Sequence, residues 1–111
     1  MAGALAVLAP AVSAATPTWG SIAANKATGA SGTAFNYASK EGAQEAALMG
    51  CGQAGCQVVV TIKKGCAAVY GNTQHTKLYY ATASTQSAAK KKVKKAHPHA
   101  VFINDVCHNN P

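Results

Sequence analysis

The sequence predicts an α+β fold: a mostly antiparallel sheet of about six strands with two helices packed on it. Three observations lead to this prediction. The chain contains two similar units, residues 19–65 and 66–108, each with the order strand, strand, helix, strand. The strand segments are rich in β-branched and aromatic residues, and Gly and Asn mark the turns between them. The helical segments place small apolar residues at helical spacing. With 111 residues, the chain has room for one domain.

The first two strands of each unit are predicted to form an antiparallel hairpin. In the first unit, residues 19–25 and 33–39 flank a Gly-rich turn; in the second, residues 66–72 and 78–84 flank a polar turn. Aligning Asn25 with Asn72 and Ser39 with Ser84 makes the second connection two residues shorter. The last strands then align as residues 58–60 with residues 101–103.

Each hairpin is followed by a predicted helix. Ser39 and Ser84 are the predicted N-caps, because a serine hydroxyl accepts hydrogen bonds from the first free backbone N–H groups. Each helix has a stripe of mostly small side chains that allows close packing against a sheet. The stripes consist of Ala43, Ala47 and Cys51 in the first helix and of Ala89, Val93 and Ala96 in the second.

Residues 1–15 are uncharged, apolar and end in small residues, as in a secretory signal peptide. Met1-Ala2-Gly3 lacks the Lys or Arg typical of its start. A transmembrane helix needs about 20 apolar residues, and Pro10 interrupts even this segment. We interpret residues 1–15 as a signal peptide and residues 16–111 as a single secreted or extracytoplasmic domain; a buried N-terminal segment is the alternative.

Four cysteines in an exported chain predict two disulfides. Cys51 and Cys56 bracket the turn after the first helix, and Cys66 and Cys107 begin and end the second unit, so we favour these two pairs. Chain entropy gives roughly 4 kcal/mol for the long loop and roughly 2 kcal/mol for the short one. The sequence does not exclude the other two pairings. The alternative is a zinc site formed by these four thiolates, or by three of them with His108. Structural zinc sites usually contain two closely spaced ligand pairs, whereas this sequence has one close cysteine pair.

Several short motifs occur in a recognisable order: Trp19-Gly20-Ser21-Ile22-Ala23, Cys51-Gly52, Cys56 followed by Val58-Val59, and Gly65-Cys66-Ala67-Ala68-Val69. In these the chain resembles the exported bacterial family called domain of unknown function 4189, from about Trp19 to Cys107. The resemblance implies a secreted α+β domain with this cysteine set. The family has no established catalytic residues, so it implies none here. The lysine-rich second helix departs from the family pattern.

The second helix contains the lysine run, which consists of Lys90, Lys91, Lys92, Lys94 and Lys95. At 100° per residue these side chains lie away from the apolar stripe. They form either a solvated helix face or a surface that binds anionic polymers, cell-envelope components or membranes. The chain has ten Lys, no Arg and three acidic residues, which give a net charge of +7. The absence of Arg argues against specific nucleic-acid recognition and for diffuse, salt-sensitive attraction. The helix lacks the large apolar face of a membrane-lying helix.

The sequence offers few residues in the arrangements that a catalytic or metal site requires. His97 and His99 flank Pro98 in a turn, and the acids Glu41, Glu45 and Asp105 are too few to support a metal site well. A Ser-His-Asp triad would need Asp105, and no phosphate loop or HExxH motif occurs. We therefore predict no catalytic residues, no metal and no cofactor.

The leading hypothesis is a small, disulfide-stabilised, non-catalytic interaction domain whose partner is unknown, engaged through the lysine run. The alternative is a protein-binding inhibitor or immunity-type module that uses an open sheet face. In the pair Tyr79-Tyr80, adjacent strand residues face opposite sides, so one ring is expected outside the helix-covered face. A small hydrolase in which Asp105, a His and a Ser or Thr converge is a third hypothesis.

Overall fold

The computed structural model describes residues 18–107. They form six strands and two helices: β1 (Trp19–Ala24), β2 (Ser31–Tyr37), α1 (Lys40–Cys51), β3 (Gln57–Ile62), β4 (Cys66–Gly71), β5 (Leu78–Ala83), α2 (Gln86–Ala96) and β6 (Val101–Cys107). Two consecutive ββαβ units make up this order, which confirms the predicted α+β class, the strand number and the two helices. The predicted signal peptide, residues 1–15, lies outside the described residues, as does His108.

The six strands are divided between two antiparallel sheets of three strands each. The N-terminal sheet has the order β2-β1-β3, and the C-terminal sheet has the order β5-β4-β6. The first strand of each unit is therefore the central one, because it pairs with both later strands of its own unit. The sequence predicted the strands but not their division into two sheets.

The two sheets pack face to face, with one helix on the outside of each, so that the fold has four layers. The central cluster combines side chains of both sheets: Ile22, Ala24, Val60 and Ile62 from the N-terminal sheet and Ala67, Val69 and Val106 from the C-terminal sheet. On the outer faces, α1 packs on Ala23 and Ala34, and α2 packs on Ala68 and Tyr70. The central strands β1 and β4 are consequently covered on both faces, and residues 20–24 and 66–71 are all buried.

One polar contact joins the two sheets across the central layer. The side-chain amide of Asn104 in β6 donates a hydrogen bond to the Ser31 hydroxyl in β2 at 2.9 Å. Because this bond links residues far apart in the chain, it fixes the position of one unit relative to the other beyond the non-directional apolar contact.

Both helices begin at a hydroxyl cap, but the second cap is one residue later than predicted. The Ser39 side chain accepts from the Gly42 N–H at 3.0 Å, and the Thr85 side chain accepts from the Ala88 N–H at 3.1 Å. Ser39 therefore corresponds to Thr85, and the assignment of Ser84 as an N-cap is wrong. From this cap, Ala43 and Ala47 correspond to Ala89 and Val93, all four of them buried.

A bulge in β2 explains why the sequence alignment slipped. The two hairpin turns, residues 25–30 and 72–77, are equally long, so the predicted shortening of the second turn is wrong. The additional residue of the first unit lies in β2, where Trp19 pairs with Tyr37 but Ser21 pairs with Ala34. Asn36, within this bulge, has a left-handed backbone with φ 65°.

The last strands of the two units also correspond differently from the sequence alignment. Val60 pairs with Ile22, and Asn104 pairs with Val69, the residue equivalent to Ile22. Residues 57–59 therefore match residues 101–103, one position from the predicted match. Each of these strands has a bulge just before that pair, so the irregularity is a shared feature of both units.

Both disulfides are present in the structure and join the pairs that we favoured. Cys51, the last residue of α1, is bonded to Cys56, next to the start of β3, with their Cα atoms 6.2 Å apart. Cys66 and Cys107 stand opposite each other in β4 and β6, with their Cα atoms 4.0 Å apart. No free cysteine remains among the described residues, so no thiolate of this set is available to zinc.

Candidate functional site

The outer face of α2 is the most highly charged surface of the described chain, but three of its five lysines already have partners within the fold. The Lys90 ammonium lies 3.4 Å from the Asp105 carboxylate and 4.7 Å from the centre of the Phe102 ring. The Lys92 ammonium donates to the Thr82 carbonyl at 2.8 Å. These contacts tie α2 to the strands on either side of it.

Lys94 closes the C-terminal end of the same helix. Its ammonium donates to the carbonyl oxygens of Pro98 at 2.9 Å and Ala100 at 3.1 Å. A cation there also complements the partial negative charge of the helix C-terminus. The primary role that these contacts give Lys94 is to hold the turn that leads into β6.

The remaining two lysines, Lys91 and Lys95, are exposed and have no contact with another polar group of residues 18–107. They are four residues apart and so lie one above the other on the solvent side of α2. Two of the three acids, Glu41 and Glu45, belong to α1 on the opposite outer layer, and the third is Asp105. The α2 side of the molecule is therefore strongly basic, and its two unpaired cations are Lys91 and Lys95.

The sheets offer less surface than the sequence predicted. The central strands are covered by a helix on one face and by the opposite sheet on the other. Exposed sheet surface remains on the edge strands, where Phe35 in β2 and Phe102 in β6 are 55% and 44% exposed. The pair Tyr79-Tyr80 does divide as expected. Tyr79 packs on the α2 side, whereas Tyr80, on the edge strand β5, is 56% exposed. Among the described residues, the sheet surface open to a large partner therefore lies on the edge strands.

A cleft of about 400 Å³ opens at the C-terminal end of α2, between the α2–β6 turn and the β4–β5 turn. Inside it, the His97 imidazole stacks on the Tyr79 ring, with centroids 3.6 Å apart and planes 9° from parallel. His99, Thr73 and Gln74 also line this cleft. The sequence predicts His97 in a turn. Counting from the correct cap would have placed it at the position of Cys51, which is an inward-facing helical position.

A protein-family model matches nearly all of the described residues. The family model described as "Domain of unknown function (DUF4189)" matches residues 19–107, which include both ββαβ units and all four cysteines. The chain belongs to the DUF4189 family. No protein with a curated description matches it.

The fold of this DUF4189 chain also occurs in a solved structure. It is similar to the NMR structure of Rv1813c from Mycobacterium tuberculosis, with a TM-score of 0.65 and 22% sequence identity. The similarity covers 97% of this chain and 99% of the other. At this level of identity, the likeness concerns the fold alone.

Within residues 18–107, this DUF4189 chain does not assemble the hydrolase triad considered above. The Asp105 carboxylate accepts a hydrogen bond from the Gln86 side chain and pairs with Lys90, while His97 lies against Tyr79. No group of three His, Cys, Asp or Glu side chains in the described range is placed to hold a metal ion. No helix in that range is long and apolar enough to cross a membrane.

Proposed function

We propose that this DUF4189 chain is an extracytoplasmic, non-catalytic binding domain that attracts anionic polymers or surfaces through the exposed face of α2. The observation that carries the proposal is the pair Lys91 and Lys95, which have no partner among residues 18–107 on a face whose other lysines contact the rest of the fold.

The expected binding is diffuse. Exposed ammonium groups attract any dense array of negative charge, and the attraction weakens with salt because counterions return to the polymer. The absence of arginine removes the bidentate contacts that distinguish one phosphate or carboxylate geometry from another. The proposal therefore concerns a class of partner, namely polyanions, and not a specific sequence or head group.

The two disulfides support a location outside the cytoplasm, since such bonds persist in oxidising compartments. The apolar composition of residues 1–15 supports export in the same way. The cross-links also add stability that the small hydrophobic core of such a domain does not supply alone.

The test measures binding to dextran sulfate at a series of salt concentrations, with the fluorescence anisotropy of the labelled protein as the readout. The variant Lys91→Gln/Lys95→Gln removes two charges without touching a described contact. We expect the slope of log affinity against log salt to fall by about two, one for each lysine. Neutral dextran should not bind.

The matched control is Lys26→Gln/Lys77→Gln, which removes the same charge from the two hairpin turns. If binding depends on the α2 face, this control keeps the wild-type slope. Equal losses in both variants would show that only net charge matters, and salt-independent binding would reject the proposal. Either result would contradict a binding surface specific to α2, and the exposed Tyr80 on the β5 edge is then a candidate anchor for the protein-binding alternative.

A further inference from the structure

The two units differ where the end of each helix meets its hairpin. Gly32 in β2 and Tyr79 in β5 occupy equivalent positions, because Ser31 pairs with Ala24 and Leu78 with Gly71. In the first unit, α1 lies directly on the backbone of Gly32. A Cβ atom at Gly32 would be 2.3 Å from the Ala47 carbonyl oxygen and 2.4 Å from the Cys51 nitrogen. Tyr79 excludes the same close approach in the second unit.

The helix–strand turn and the hairpin turn beside these positions are bonded to each other in the first unit but not in the second. In the first unit, the Gln53 side-chain oxygen accepts from the Asn25 amide at 2.9 Å and from the Thr28 hydroxyl at 2.8 Å. These bonds close the space between the helix–strand turn and the hairpin turn. In the second unit, Asn72 bonds only within its own turn, and no hydrogen bond between residues 72–77 and 97–100 is present. The cleft of about 400 Å³ lies in that gap.

The walls of the cleft have hydrogen-bonding groups without partners in residues 18–107. The side chains of Thr73, Gln74 and His99 have none, and Tyr79 and His97 contact each other through their ring faces. Together they supply a hydroxyl, an amide, a phenol and two imidazoles, which both donate and accept. Ala96, Pro98 and Ala100 complete the walls with apolar surface.

We propose that this cleft binds one unit of a neutral, polyhydroxylated ligand, that is, a sugar residue. No Lys, Arg, Asp or Glu of residues 18–107 lines the cleft, so these walls lack a fixed charge that would select an ion. Lys94 is nearby, but its ammonium is occupied by the Pro98 and Ala100 carbonyls. The C-terminal end of α2 also disfavours an anion at this place.

The size and composition of the cleft agree with this class of ligand. Sites for small molecules have volumes of about 300–1,000 Å³ and combine apolar walls with a few polar groups that fix orientation. The cleft volume lies at the lower end of that range, which suits one or two sugar rings and not a longer chain. The site uses none of the unpaired lysines of α2, so it is independent of the polyanion surface.

The experiment is a titration of the full ¹⁵N-labelled chain with glucose, galactose, mannose and N-acetylglucosamine, followed by amide chemical shifts. We expect saturable shifts in residues 73–74, 79 and 97–100 with at least one sugar, at millimolar affinity. Gln74→Ala and His99→Ala, both at exposed positions, should each weaken that binding about fivefold, the value of one lost hydrogen bond.

Lys91→Gln/Lys95→Gln is the control and should bind the sugar as the wild type does, which separates this proposal from the polyanion surface. The same titration with inorganic phosphate and with Zn²⁺ distinguishes the competing ligands. Saturable shifts at the cleft with phosphate or Zn²⁺ and none with any sugar would overturn the inference. No shifts at the cleft with any of the four sugars would overturn it as well.

Discussion

Replacing Gly32 by alanine tests how closely α1 lies on the N-terminal sheet. The added Cβ would meet three backbone atoms: the Ala47 oxygen at 2.3 Å, the Cys51 nitrogen at 2.4 Å and the Gly50 carbonyl carbon at 2.6 Å. Ordinary contact distances are about 3.5 Å, so the helix end would have to move by about 1 Å. These atoms belong to hydrogen-bonded helix and cannot rotate away as a side chain would.

The cost of Gly32→Ala follows from overpacking in a closed interior. Such substitutions typically destabilise by about 1–3 kcal/mol, and a clash with backbone should fall at the upper end, near 3 kcal/mol. In a domain of this size, each kcal/mol lowers Tm by about 4–8 °C, so we expect a loss of about 12–24 °C. Urea and thermal unfolding of the oxidised protein, followed by Trp19 fluorescence and far-UV circular dichroism, measure both quantities.

Gly50→Ala is the matched control, because Gly50 lies in α1 across the same contact. A Cβ there would be 3.4 Å from the Gly32 Cα and 4.0 Å from the Thr33 nitrogen, which are ordinary contacts. Helix propensity should then make Gly50→Ala neutral or stabilising by up to about 1 kcal/mol. Unfolding free energies for Gly32→Ala within about 0.5 kcal/mol of wild type, the usual range of a surface substitution, would refute the close packing described above.

Three further sets of substitutions test the disulfides, the cap of α2 and the lysines at its end by the same unfolding measurements. Cys66→Ser/Cys107→Ser should cost about 4 kcal/mol and Cys51→Ser/Cys56→Ser about 2 kcal/mol, because the first bond closes the longer loop; equal losses would contradict the chain-entropy account. Thr85→Ala should cost about 1 kcal/mol by removing the cap of α2, and an unchanged midpoint would show that Thr85 is not the functional cap. Lys94→Gln should cost about 1 kcal/mol through its two carbonyl bonds, whereas Lys95→Gln should be neutral; a larger loss for Lys95→Gln would reverse the roles assigned to them.

Local patterns in the sequence predicted the elements and their order well. Hydrophobic periodicity and turn residues depend on neighbours along the chain, so six strands, two helices and the unit boundary at Cys66 could be placed without a structure. The residue-by-residue alignment of the two units was predicted less well. The bulges at Phe35-Asn36, Val59 and Ile103 each add a residue that no local pattern indicates. The bulges at Val59 and Ile103 are equivalent, whereas the bulge at Phe35-Asn36 belongs to the first unit alone and therefore shifts the alignment of the two units by one.

The candidate sites show the same division between local and distant information. The lysine run is a feature of composition and was visible at once. Which of its members are free was not, because Lys90, Lys92 and Lys94 are engaged by Asp105, by Thr82 and by the turn at Pro98, all on other segments. The cleft beside Tyr79 and His97 was missed, since it exists only where two turns of one unit fail to meet.

The sequence by itself determined the class of this protein: a duplicated α+β domain of the DUF4189 family, with four cysteines and a basic second helix. Tertiary structure alone decided that the strands form two sheets packed face to face, that the central strands are covered on both sides, and that one unit closes tightly while the other leaves a cleft. The physical reason is that secondary structure follows from contacts between near neighbours. Packing, by contrast, depends on the size of the side chains at a contact between distant segments. The hydrogen atom of Gly32 allows α1 to lie directly on β2, whereas the phenol ring of Tyr79 excludes the same close approach of α2 to β5.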